Sequence, residues 1–129
     1  MEVAAEVIER LRGICVALPE VVEEAAWVGT RWRVRAKTFA HVLAIADGWP
    51  PVYARESGTD GPATLLMFRA AGEELDALRH GGPPFFGPIW RADEVGLILD
   101  AAPVDWAEVG ELVTESYRLQ APSTLRRRL

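Results

Sequence analysis

Few side chains in this 129-residue sequence are of types that carry chemistry outright: two histidines and one cysteine, set among nineteen carboxylates. His41 falls inside an apolar run and His80 at the end of a helix-like segment. Neither has a carboxylate spaced to orient it as a general base. Each therefore reads as structural, His80 as a favourable charge at a helix C-terminus. Cys15 stands on an apolar stripe with no second thiol in the chain, which leaves no disulfide and no cysteine zinc cluster. It reads as a small core residue. Glu2, Glu6 and Glu9 share a helical face and read as solvated carboxylates. The Gly-x-Ser-x-Gly elbow, the phosphate loop ending in Gly-Lys-Ser/Thr, Gly-x-Gly-x-x-Gly and His-Glu-x-x-His are absent. The sequence predicts no catalytic residue, no cofactor, no metal, and a protein that is not an enzyme.

The pattern that could instead support binding is cationic. Arg31, Arg33, Arg35 and Lys37 alternate with Trp32, Val34 and Ala36, the period of two of a half-buried strand with one charged face. Residues 31–37 hold four bases and no acid, residues 1–30 six acids and two bases, and the remainder thirteen acids and eight bases. The strand is thus an isolated basic patch in a molecule of net charge -5, a charge that opposes general adsorption to nucleic acid. A second candidate surface is aromatic. The stretch Gly81-Gly82-Pro83-Pro84-Phe85-Phe86-Gly87-Pro88 forbids regular structure over most of its length, and its phenylalanines with Trp90 are placed to cover the core or line a groove.

The elements that must position these residues follow from periodicity. Val3, Val7, Ile8, Leu11, Ile14, Cys15 and Leu18 recur at helical steps up to Pro19. An acidic connection through Glu20, Glu23 and Glu24 then leads to three predicted strands, about Ala25–Val28, Arg31–Ala36 and Phe39–Ala46, with turns at Gly29-Thr30 and Lys37-Thr38. The segment between Trp49-Pro50-Pro51 and Glu56–Pro62 reads as an edge strand or ordered loop. Further on come a strand at Thr64–Phe68, a helix at Glu73–His80 stopped by Gly81, a strand at Val95–Leu99, and a helix opened by Asp105 and Glu108 as a capping-box-like pair. Pro122 ends that helix.

Consecutive strands flanked by amphipathic helices predict an α+β two-layer sandwich, an antiparallel sheet with the N- and C-terminal helices packed on one face. Residues 1–121 read as a single domain and 122–129, with Arg126-Arg127-Arg128, as a short basic tail. The acidic N-terminus lacks the pattern of a secretory signal and no apolar run reaches membrane-spanning length, so a cytoplasmic location without membrane contact is the expectation.

Leu18-Pro19-Glu20-Val21, the segment Val34–Ala40, Asp105-Trp106, Glu111-Leu112-Val113 and Ser116-Tyr117-Arg118-Leu119 together resemble the MmcQ/YjbR family over about residues 7–122. The glycine usual before the family's lysine is Ala36 here. The resemblance implies a CyaY-like sandwich and a proposed DNA-binding role through two hairpin wings (a double wing). It supplies no catalytic residue. On this view Arg31, Arg33, Arg35 and Lys37 face phosphate, and Trp32 or Trp90 stacks on a base if it points outward. Four phosphate contacts would give a logarithmic salt slope of about -3.6 on duplex DNA. The competing expectation is a small-ligand or protein-interaction module built on Trp32, Phe85, Phe86 and Trp90. A third is acidic metal binding in the manner of the frataxin-like fold.

Overall fold

The helical spacing of Val7, Ile8, Leu11, Ile14 and Cys15 produces helix α1, Ala5–Cys15, in a computed structural model that describes all residues from Met1 to Leu129. Three antiparallel strands follow: β1 Val21–Ala25, β2 Thr30–Val34 and β3 Lys37–Ile45. After helix α2, Pro51–Ser57, come β4 Ala63–Arg69 and helix α3 Gly72–His80. The chain closes with β5 Phe85–Phe86, β6 Glu94–Ile98, a single 3-10 turn, helix α4 Trp106–Gln120 and one further turn of helix, α5 Ser123–Arg126. One antiparallel sheet in the order β1-β2-β3-β4-β6-β5 carries all six strands.

The predicted sandwich is the observed one. Leu11 and Cys15 of α1, Val109, Leu112, Val113 and Tyr117 of α4, and Leu125 of α5 are buried against Trp32, Val34, Val42, Leu66, Phe68 and Val95 of the sheet. Asp105 caps α4 as its spacing predicts, its side chain accepting the Glu108 N–H at 3.1 Å. Burial in this layer raises the Cys15 thiol far above its ordinary value. The opposite face is covered over only part of its width, where Tyr53 of α2 packs with Leu43, Ile45, Leu65 and Met67. The rest of that face is open. No helix is long and apolar enough to cross a membrane.

Local assignments differ from the expectation in five places. The acidic connection is itself the first strand, and Ala26–Gly29 is the turn, because Glu23 and Glu24 stand opposite Trp32 and Arg31 on β2 and find partners there. Gly29 is obligatory in that turn: its φ is +73°, and a Cβ would lie 1.9 Å from the Val42 carbonyl oxygen. The next turn is Arg35-Ala36, with Arg35 at φ +54°, so Lys37 opens β3 instead of forming a turn. Residues 51–57 are a helix: Pro51 occupies its first turn, where the missing N–H costs nothing, and Gly58 ends it at φ +77°. Finally, Phe85-Phe86 pairs with β6, and the residues past Pro122 fold back so that Leu125 joins the core.

Candidate functional site

The basic strand is matched by acids from its neighbour. Arg31 Nε and Arg33 Nε both donate to Glu24 Oε1, at 2.8 and 3.0 Å, and Arg35 reaches both oxygens of Glu20 at 2.9 and 3.3 Å. Arg33 also donates to the Arg35 carbonyl at 2.6 Å. Partial burial works against the Glu24 carboxylate, but its two arginine partners outweigh this and hold it below the ordinary carboxylate value. Glu23 is likewise lowered, chiefly by the hydrogen bond from Arg12, with a smaller contribution from Trp32. Exposed pairs of this kind add little stability. Their effect here is to cancel charge: of the four predicted phosphate-facing side chains, Lys37 is the one that pairs with no carboxylate. Trp32 corrects its expectation outright. It is 0% exposed, with its indole N–H on Glu23 at 2.9 Å, because its side chain belongs to the helix-covered face. It offers no surface to a base or ligand.

The open part of the second sheet face holds a groove of about 780 Å³, within the range that small-molecule sites occupy. Arg31, His41 and Met67 stand in register across β2, β3 and β4 and line it. Trp27, on the β1–β2 turn, and Trp90 with Arg91, on the β5–β6 connection, line it from either side. Both tryptophans are largely exposed, 68% and 62%.

The β5–β6 connection is pinned from below. Glu94 Oε1 accepts the N–H groups of Ile89 and Trp90 at 3.2 and 2.9 Å, Arg69 Nε donates to Asp93 at 2.8 Å, and Arg79 donates to the carbonyls of Ala92 and Glu94. Trp90 then donates its indole N–H to the Tyr53 hydroxyl at 2.9 Å. Tyr53 is 1% exposed, and burial raises its hydroxyl above the ordinary value. Its own proton has no acceptor within the chain. Burial lowers His41, although the hydrogen bond to the Val28 carbonyl opposes this. That bond is donated by Nε2, which leaves Nδ1 of the neutral ring as an acceptor. Arg91, like Lys37, lines the groove and pairs with no carboxylate.

Of the residues singled out from sequence, the groove gathers Arg31, Lys37 and Trp90. Arg33 and Arg35 lie outside it. Phe85 packs toward the helix-covered core and Phe86 toward the second cluster, its ring so close over Gly96 that a Cβ there would lie 2.2 Å away; neither lines the groove. Trp27, Tyr53 and Arg91 carry no sequence motif as site residues, and the apolar run around His41 points to a purely structural histidine. They come from four separate elements, so no spacing links them. The adjacency of an exposed tryptophan and an arginine at 90–91 was the one local signal. Nowhere do three or more His, Cys, Asp or Glu side chains converge as a metal site would require.

The motif residues behind the family resemblance meet elsewhere, under the sheet. The β2–β3 register shifts by one residue, leaving Phe39 as the extra residue of a bulge with its carbonyl outside the ladder. Ser116 Oγ donates to that carbonyl at 2.6 Å and accepts the Arg69 N–H at 2.8 Å. The Tyr117 ring meets Phe39 edge-on at 5.3 Å, and its hydroxyl donates to the Pro19 carbonyl at 2.7 Å. The Leu-Pro-Glu, Lys-x-Phe-Ala and Ser-Tyr elements therefore form one structural clamp.

A six-stranded antiparallel sheet, two long helices on one face and a partly open second face together define a small α+β sandwich. Its family model is YjbR, matched over residues 16–119, and the chain belongs to that family. Among solved structures it is similar to a crystal structure of a protein from Pseudomonas syringae, a structural-genomics target, with a TM-score of 0.55 and 16% identity, covering 81% of this chain and 80% of that one. At that identity the likeness speaks for the fold alone. No curated protein matches significantly.

Proposed function

We propose that this protein is a non-catalytic binding module that takes a small anionic, ring-bearing molecule into the groove on the open sheet face. The observation that carries this reading is the groove itself: two exposed tryptophans and two carboxylate-free cations line one concavity beside Tyr53 and His41. Aromatic rims with a few convergent polar groups are the usual make-up of ligand sites. The one thiol of the chain is buried in the other layer, away from the groove.

A duplex-reading role for the basic strand draws on the family resemblance but has less physical support than the sequence suggests. With Arg31, Arg33 and Arg35 occupied by Glu20 and Glu24, the salt slope expected of the strand falls to about -0.9, that of a single phosphate contact.

The groove is tested with an anionic aryl probe, anilinonaphthalene sulfonate, followed by tryptophan quenching and probe emission. Saturable one-to-one binding is expected, weakened at least about tenfold in both Trp90→Ala and Arg91→Glu, the loss of one stacking or charge-assisted contact. Unsaturable binding, or equal binding by both folded variants, would refute the reading.

A further inference from the structure

We infer that the ligand class is a free mononucleotide, a planar nitrogen heterocycle joined through a sugar-sized spacer to a phosphate monoester; the inference rests on the reading of the groove as a ligand site.

The groove is polarised along the strands. β3 begins at Lys37 and β4, antiparallel to it, ends at Arg69, whose partner in the next strand is Glu94, so Lys37, Arg69 and Glu94 mark one end of the sheet. Arg91 precedes that end of β6. His41 and Met67 lie farther along on the face of Arg69, whereas Lys37, opposite Val34 past the Phe39 bulge, meets the groove from the strand end; Tyr53 lies beyond, its ring centroid 6.3 Å from His41 and 6.4 Å from Trp90. With Phe39 bulged out between them, Lys37 and His41 stand three ladder steps apart, about 10 Å along the sheet. A ligand satisfying both ends needs its ring and its charge held apart, which a ribose does and an aryl carboxylate does not.

The charge count fits as well. A phosphate monoester carries about -1.5 to -2 near neutral pH, which matches Lys37 and Arg91 together, whereas a single carboxylate would leave one of them unanswered. Arg69 is already neutralised by Asp93 at 2.8 Å. Glu94, the carboxylate lining the groove, has Oε1 committed to two backbone N–H groups. At the other end the two exposed tryptophans offer stacking faces for a planar ring. A polymer fits less well than a monomer. Past the groove Arg33 shares Glu24 with Arg31 and Arg35 pairs with Glu20, so flanking phosphates would meet no arginine on the strand without a carboxylate partner.

Calorimetry on the full chain with the four ribonucleoside monophosphates, adenosine, inorganic phosphate, and a 5′-phosphorylated ten-residue oligodeoxynucleotide tests this, with the aryl sulfonate probe run alongside. Expected is one-to-one binding of at least one monophosphate that displaces the probe, with adenosine and phosphate each at least about tenfold weaker. Arg91→Glu and Lys37→Glu, both at exposed positions, should each weaken the monophosphate about tenfold and leave adenosine unchanged, with circular dichroism confirming the fold. Saturable probe binding with no monophosphate binding up to about 1 mM overturns the nucleotide assignment and leaves the groove reading standing. Failure of the probe as well overturns both. An oligonucleotide that binds more than about tenfold tighter than every monophosphate overturns the free-nucleotide inference in favour of a strand end.

Discussion

Replacing Ser116 by alanine removes one oxygen from a fully buried position, and almost no volume, so the result isolates hydrogen bonding from packing. Two backbone groups lose their partner at once: the Phe39 carbonyl, set outside the ladder by the bulge, and the Arg69 N–H at the end of β4. A buried polar group left unsatisfied costs about 1–3 kcal/mol, and the two together cost about 2–4 kcal/mol if each is partly relieved by relaxation. That is a large share of the roughly 5–15 kcal/mol by which a domain of this size is stable. Urea unfolding followed by tryptophan emission provides the assay; with a slope of about 2 kcal/mol per molar, the midpoint should fall by about 1–2 M with the slope unchanged. Tyr117→Phe is the natural comparison, since it deletes only the bond to the part-buried Pro19 carbonyl and should cost about 1 kcal/mol. The reasoning fails if Ser116→Ala unfolds within about 0.5 kcal/mol of the parent, the range of an ordinary surface substitution. Such a result would mean that the bulge carbonyl and the Arg69 N–H find other partners without loss.

Glu20→Gln with Glu24→Gln should release the strand arginines, steepening the salt slope of duplex-DNA binding from about -0.9 towards -3.6 in fluorescence anisotropy at two salt concentrations; an unchanged slope would show that the carboxylates do not mask them. His41, lowered from 6.5 mainly by burial, is neutral at pH 7. The unfolded chain therefore takes up this proton before the folded one, and the stability of the parent relative to His41→Gln should decline as the pH drops below about 6.5, with the ring's NMR titration midpoint lying below that value. Cys15, enclosed in the helix-covered layer with its thiol held protonated, should resist an aromatic disulfide reagent in the native protein and react fully in denaturant; rapid native labelling would contradict its placement.

Helix α4 was legible from sequence because Asp105, Glu108 and the apolar steps from Trp106 to Tyr117 all point the same way, and α1 for similar reasons. β1 was not. Glu23 and Glu24 have the composition of a solvated connection, and only the arginine and indole facing them across the sheet make a strand of the segment. Pro50-Pro51 misled in a comparable way, since proline stops a helix from within yet suits its first turn. The alternating cations did form a strand as predicted, but alternation reports a shared face and says nothing of what lies beside it. The groove was least legible because Trp27, Tyr53 and Arg91 are brought together by the sheet's strand order and by a connection pinned through Glu94, neither of which leaves a trace in local spacing.

The glutamates of β1 have a consequence beyond the charge balance. β1 is an outermost strand, and at the far side of the sheet the corresponding place is held by β5, only two residues long. A foreign chain seeking to extend the sheet would find almost no ladder to join at β5, and at β1 it would have to settle beside carboxylates at Glu23 and Glu24. Glu24, which quiets Arg31 and Arg33, thus also guards, with Glu23, the seam at which molecules of this protein could zip together. Stripping them to expose a cationic surface should bring a tendency to self-associate.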